Sequence, residues 1–194
     1  MRVIGTQLRE IQHMSPKSKK VFPRSTVRDF HHDGDIRITN STLDHADYLQ
    51  NHLRLTDVRE CMIHGATPWR ALHYPLKRKD AVTWTALYKD EPVCMFGVVP
   101  ISSEDGFKTG SIWLLGTHMI DEHPRKFLPV SRNMLNHIAE DWDVLENVVP
   151  IDHTKTLNWL NWLDFMFGED VVKINGFACV RFVRCAPNIE VTFE

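Results

Sequence analysis

The stretch Val82-Thr83-Trp84-Thr85-Ala86-Leu87-Tyr88, followed by Lys89-Asp90-Glu91-Pro92 and then Val93-Cys94-Met95-Phe96-Gly97-Val98-Val99-Pro100, reads as a strand, a turn and a returning strand. β-branched and aromatic residues fill both runs, and the charged and proline residues between them punctuate the chain. A polar loop from Ser102 to Lys108 leads to a third run of the same kind, Gly110-Ser111-Ile112-Trp113-Leu114-Leu115. Three neighbouring strands with short links predict an antiparallel meander.

Outward from this block the pattern changes. On its N-terminal side Ile36-Arg37-Ile38-Thr39 suits a short strand, and Asn40 or Ser41 is placed to cap a helix carrying Leu43, Ala46, Leu49 and Leu53 on one face. Thr56 is placed to cap a second helix through Val58, Cys61 and Met62 that Gly65 ends, and Thr67-Pro68 opens a third through Trp69 and Leu72. On the C-terminal side His123-Pro124 begins a helix with Phe127, Ser131, Met134, Leu135 and Ile138 inward. Val144–Val149 is a strand, and Thr154 opens a helix through Leu157, Leu160 and Leu163. Val171–Ile174 and Phe177–Val183 flank an Asn175-Gly176 hairpin turn. This succession of strands and helices predicts an α/β (α+β) domain, a mixed and mostly antiparallel sheet flanked by helices.

The 194 residues suit one domain, and an apolar fraction of 43% with 25% charged residues is that of a globular chain. The net charge of -2 conceals an asymmetry: residues 1–34 are basic and the remainder is acidic. Residues 1–34 read as an extended basic arm, rich in Pro, Ser and Lys, and residues 35–194 as the folded domain. Within the arm, Lys17, Lys19, Lys20, Arg24 and Arg28 with the apolar anchor Phe22 suit a segment that orders on a partner. His31-His32-Asp33-Gly34-Asp35 is a turn, so no metal site is expected. Cys61, Cys94, Cys179 and Cys185 lack a CxxC spacing and read as small buried hydrophobes. No stretch has the length of a membrane span, and Met1–Glu10 lacks a signal-peptide core, so a cytoplasmic chain is expected.

From Asp35 to Cys185 this order resembles the GNAT acetyltransferase fold. Five local strings carry a closer resemblance: Glu91–Pro100, Trp113-Leu114-Leu115-Gly116-Thr117, His123–Leu128, Leu145–Val149 and Trp159-Leu160-Asn161-Trp162-Leu163. In this order they look like the GNAT-like small internal virion protein family of short-tailed phages and prophages. That resemblance implies a GNAT-like scaffold used in particle assembly or genome delivery. It also implies a virion location, after a period in the host cytoplasm.

Acetyl-CoA chemistry on a GNAT scaffold calls for a (Q/R)-x-x-G-x-(G/A) loop whose backbone N–H groups meet the pyrophosphate at a helix start. The matching stretch, Gly116-Thr117-His118-Met119-Ile120-Asp121-Glu122-His123-Pro124, has one glycine and two carboxylates, and its proline lacks an N–H. If acetyl-CoA binds, Gly116, Thr117, Arg125 and Lys126 are the residues placed to hold it. The late-helix tyrosine that would protonate a departing thiolate reads Leu160 here. Asp164 and His153 stand where the phage relatives have glycine and asparagine. His153 reads as a capping or surface residue, and Ser111 and Thr109 do not make a base.

No catalytic residue and no cofactor is therefore expected. The first reading is a virion-associated structural or assembly protein, docking on portal, tail or internal proteins, or on its own copies. It would use the arm together with Trp159 and Trp162, which lie three apart on one helix. The alternative is an acetyl-CoA-dependent N-acetyltransferase acting on a host or phage amine. Specific nucleic-acid binding is not expected from an acidic domain.

Overall fold

The computed structural model describes residues 30–32, 35–102, 106–187 and 189. Most of the expected arm, including Lys17, Lys19, Lys20, Phe22, Arg24 and Arg28, lies outside the described residues.

Among the described residues eight strands form one sheet in the order β1-β2-β3-β4-β5-β6-β8-β7. β1 (Phe30–His32) pairs with β2 (Ile36–Asn40), so the last residues of the stretch read as an arm add an edge strand. The meander follows as β3 (Val82–Tyr88), β4 (Glu91–Ile101) and β5 (Thr109–Gly116). The β3–β4 turn is tighter than the sequence suggests: Lys89 and Asp90, at φ of 51° and 66°, make it alone. Positive φ at both central residues matches the twist of a two-residue hairpin. Pro92 then enters β4, and the register shifts between Ala86 and Leu87, where the missing N–H interrupts the ladder. β6 (Val144–Pro150) pairs in parallel with β5, and β7 (Met166–Ile174) and β8 (Phe177–Cys185) close the sheet as an antiparallel hairpin about Asn175-Gly176.

Helices cover both faces. α1 (Leu43–Leu49), α2 (Leu55–Ile63) and α3 (Pro68–Lys77) belong to one side, where Ala46, Leu49, Cys61 and Leu72 pack with Met95 and Leu115. α5 (Pro124–Ala139) and α6 (Thr154–Trp162) belong to the other, with Phe127, Met134, Leu135 and Leu160 against Cys94, Phe96 and Val98. The alternation of Cys94, Phe96 and Val98 with Met95 along β4 thus feeds two cores from one strand.

Several helix boundaries differ from the sequence reading. β2 runs on through Asn40, so the α1 cap falls to Thr42, which accepts from the His45 amide in a capping box. Leu43 consequently faces outward. α2 begins at Leu55, ahead of Thr56, and ends as expected at Gly65, whose φ is 67°. There Ala66 N–H bonds Cys61 O and Gly65 N–H bonds Met62 O, the paired closure of a Schellman motif. On α5 Val130 takes the inward place expected of Ser131. Thr154 is the first residue of α6, not its cap, because His153 occupies the cap position. A single turn, α4 (Met119–Glu122), which the sequence reading did not anticipate, interrupts the loop between β5 and α5.

Candidate functional site

β5 and β6 are the parallel neighbours of the sheet, and they stay together briefly. Thr109 faces Val144, Gly110 faces Leu145 and Ser111 faces Glu146. Beyond Ser111 both strands continue, β5 to Gly116 and β6 to Pro150, without further pairing to each other. At the fork, Asn147 donates from Nδ2 to Ile112 O at 2.7 Å, so a side chain replaces the next ladder bond. A cavity of about 480 Å³ opens from this fork. Leu114 of β5, Phe127 and Met134 of α5 and Leu160 of α6 are among its apolar walls, and Arg54, Glu60 and Asn147 bring polar groups to it. That volume falls in the range of about 300–1,000 Å³ typical of small-molecule sites.

α2 supplies the charged wall. Asp57, Glu60 and Cys61 follow a helical i, i+3, i+4 spacing, so both carboxylates share the face that packs inward. Asp57 is 2% exposed. It accepts from Arg54 Nε at 2.8 Å and from the Gly116 amide at 2.7 Å. Burial pushes the Asp57 carboxyl upward, opposed by the Arg54 guanidinium and the Gly116 N–H. Glu60 has fewer partners. Burial, then the neighbouring Asp57 carboxylate, push its carboxyl up to about 8 against the pull of Arg54. A carboxyl in that range exchanges a proton near neutrality, which suits acid–base work.

His153 faces Glu60, with Nδ1 4.0 Å from Oε2. The ring is buried, and neither nitrogen has a hydrogen-bond partner among the described residues. The sequence reading made it a capping or surface residue; it does stand at the α6 cap position, but its ring makes no cap hydrogen bond and lies inside. Burying both ring nitrogens unsatisfied is costly, and such groups in folded proteins call for a functional account. Cys94 also lines the cavity, but burial raises its thiol to about 12, so it stays protonated and is no nucleophile.

The loop after β5 is closed upon itself. The Gly116 N–H is held by Asp57 and the Thr117 N–H by Val93 O at 2.8 Å. The amides of Asp121 and Glu122 both reach His118 O, and that of His123 reaches Met119 O. Asp121 accepts from Arg54 Nη1 at 2.8 Å. A Cβ placed on Gly116 would lie 2.3 Å from Ile120 Cδ1, so the bare face of that glycine is already covered.

Of the residues read as anion holders, Gly116 and Thr117 have committed amides, and Lys126 Nζ is bound to Asp35 at 2.6 Å and to the Tyr88 hydroxyl. Arg125 is exposed. The two tryptophans read as partner anchors part company. Trp159 turns into the cavity wall and donates to Ser131 Oγ at 3.2 Å, whereas Trp162 is exposed, with the Arg132 guanidinium 4.1 Å above its ring. Leu160, at the expected tyrosine position, is buried apolar wall. Glu60 was missed in the sequence, where an acid on a short helix looks like a solvated face. The signal was present in the spacing of Asp57 and Glu60 with Cys61, which sets two carboxylates on the buried side.

No family model matches the sequence, and no curated protein matches it. Solved structures do. The ribosomal-protein-S5-alanine acetyltransferase from Vibrio fischeri superposes with a TM-score of 0.61 at 11% identity, covering 84% of this chain and 98% of that one. A GNAT-family acetyltransferase from Bacillus anthracis gives 0.58 at 7% identity over 78% and 95%. A ribosomal L7/L12 α-N-protein acetyltransferase in complex with coenzyme A gives 0.56 at 10% identity over 78% and 94%. The fold is that of the GNAT acetyltransferases.

These neighbours are acetyltransferases, which overturns the first reading from sequence, a virion structural or assembly protein. The five strings behind that reading lie in or at the ends of β4, β5, α5, β6 and α6, so they report on the scaffold and not on its use. The expectation of no cofactor loses its footing too, since one neighbour was solved with coenzyme A.

Proposed function

We propose that this chain is an N-acyltransferase of GNAT type, moving an acyl group from a thioester to an amine. The observation that carries this reading is the Glu60 carboxyl, ionising at about 8, on the wall of a cavity that opens where β5 and β6 part. The donor supplies an electrophilic carbonyl and a thiolate leaving group. The apolar walls from Leu114, Phe127, Met134 and Leu160 exclude water that would otherwise hydrolyse a thioester.

The acceptor arrives as an ammonium and meets Glu60 on the cavity wall, whereas Asp57 and Asp121 are already paired with Arg54. Glu60 takes the ammonium proton at its carboxylate oxygen, leaving a neutral nitrogen able to attack. As the C–N bond forms and the C–S bond breaks, the second proton of the attacking nitrogen goes to the departing thiolate; His153, with Nδ1 4.0 Å from Oε2 and both ring nitrogens buried, packs behind Glu60. One structural neighbour is named an α-N-protein acetyltransferase and another a ribosomal-protein alanine acetyltransferase, so a peptide α-amine is the first acceptor to test.

The experiment is thiol release from an acetyl thioester in the presence of a peptide panel, followed by mass spectrometry of the peptides. Glu60→Gln should lower kcat/KM by about 10²–10⁴, the usual weight of a general base. Thiol release that is independent of amine, or unaffected by Glu60→Gln, overturns the reading.

A further inference from the structure

We infer that His153 is the positioning residue of Glu60: in the ionised state Glu60 Oε2 accepts from His153 Nδ1, and the other carboxylate oxygen is left turned to the cavity. The role of Glu60 as base rests on the acyl-transfer reading; the contact between the two side chains does not.

The backbone of His153 is fixed and its ring is idle. Its N–H donates to Pro150 O and its carbonyl accepts from the Leu157 N–H, each at 3.0 Å, so the first turn of α6 holds it in place. The ring is 9% exposed, and both nitrogens are buried without a partner among the described residues. An imidazole buried with neither nitrogen satisfied calls for a second state in which it is paired.

Glu60 is the partner in reach. Nδ1 lies 4.0 Å from Oε2, beyond a hydrogen bond of about 2.7–3.2 Å, and the broad last torsion of a glutamate can close such a gap. A protonated carboxyl has little need of the ring. An ionised one in a buried place does need it, because a desolvated charge requires donors. Glu60 has no side-chain hydrogen bond among the described residues, and Arg54 gives Nε to Asp57 and Nη1 to Asp121. A neutral imidazole carries its one hydrogen on either nitrogen, and a carboxylate beside Nδ1 selects that tautomer.

The other charged and titratable groups here are otherwise engaged. On α2, Asp57 is held by Arg54, and burial lowers the proton affinity of His64, one turn beyond Glu60. Arg59 pairs with Asp152 at 2.7 Å, and Lys155 of α6 is exposed. Burial raises the Cys61 and Cys179 thiols, so both stay protonated. His153 is thus a buried donor with no other claim on it.

Nuclear magnetic resonance of the full chain tests the contact without any acyl transfer. In the unaltered protein the ring nitrogen signals of His153 should place the hydrogen on Nδ1 and move as the Glu60 carboxyl ionises at about 8. A hydrogen on Nε2 alone, or a ring that does not respond, overturns the inference. His153→Leu should make Glu60 hold its proton about tenfold more tightly, as read from the carboxyl carbon signal. His153→Asn, whose amide nitrogen stands near the place of Nδ1, should restore the parent behaviour. No change in His153→Leu, or the same change in both variants, reduces the residue to packing and sinks the proposal.

Kinetics supply a second readout. Near neutral pH His153→Leu should lower kcat about tenfold with KM unchanged, and the loss should fade as pH rises past the displaced transition. A loss equal at every pH counts against positioning. A responsive His153 ring without acyl transfer removes the enzyme reading and leaves this one standing. Transfer that depends on Glu60 beside a silent ring does the reverse.

Discussion

At the scale of single residues the site depends on a carboxyl held away from its ordinary ionisation. The Glu60 carboxyl moves from 4.5 to about 8 on folding, so between these values the folded chain holds a proton that the unfolded chain has lost. Stability therefore falls as pH rises through this window and levels off above it; below it both states are protonated and nothing is lost. Converted in full, that shift amounts to about 5 kcal/mol. The side chain is 24% exposed, and solvent screening reduces the expectation to about 1–3 kcal/mol. Glu60→Gln should thus be more stable than the parent at pH 9 by about that amount and equal to it near pH 4, as read from urea midpoints. The rate of acyl transfer should rise with pH through the same region, with an apparent pKa near 8 that the variant lacks. Asp57 obeys a different logic, since its partners hold it in place. Asp57→Ala leaves Arg54 Nε and the Gly116 amide without their partner, with Arg54 still held by Asp121, and should cost about 3 kcal/mol in chemical denaturation.

At the scale of elements, local chemistry was legible and convergence was not. Thr67-Pro68 opens α3, Gly65 closes α2 and Asn175-Gly176 turns the last hairpin, each as its residue types dictate. A cap or a turn is decided by a few neighbours, and the sequence displays them together. The α4 turn was missed because one turn of helix has no period to detect. The charged site was missed for another reason. Asp57 meets Gly116 across 59 residues of chain and Arg54 meets Asp121 across 67, contacts that exist once α2 lies against the end of β5. Gly65 helps to fix that placement: at φ of 67° it tolerates no side chain cheaply, and Gly65→Ala should cost about 1 kcal/mol by thermal melting. Asn175 then donates from Nδ2 to Ile63 O at 2.7 Å, tying the β7–β8 turn to the end of the helix that carries Glu60.

At the scale of the whole molecule the order of strands and helices was readable, because each half of the chain has its own rhythm, a meander first and alternation after. The fork was not, since nothing in the runs of β5 and β6 marks where two parallel strands stop pairing. The cavity that follows is large for a protein interior; an apolar void of about 150 Å³ already admits benzene. Filling it tests whether it is used. Met134→Trp, on the α5 wall, should abolish acetyl transfer from the thioester and change the melting temperature little, since the ring enters existing space.

The brief parallel junction has a mechanical consequence. β1 to β5 are stitched into one antiparallel block and β6 to β8 into another, and the backbones of the two blocks meet along Thr109–Ser111 and Val144–Glu146, with Asn147 as a clip. Such a joint is a seam. Pulled from its ends or opened by slow thermal breathing, the protein should part there first, each block keeping its own ladders. Because the two lips of the cavity lie on opposite sides of the seam, the same breathing sets how wide its mouth stands.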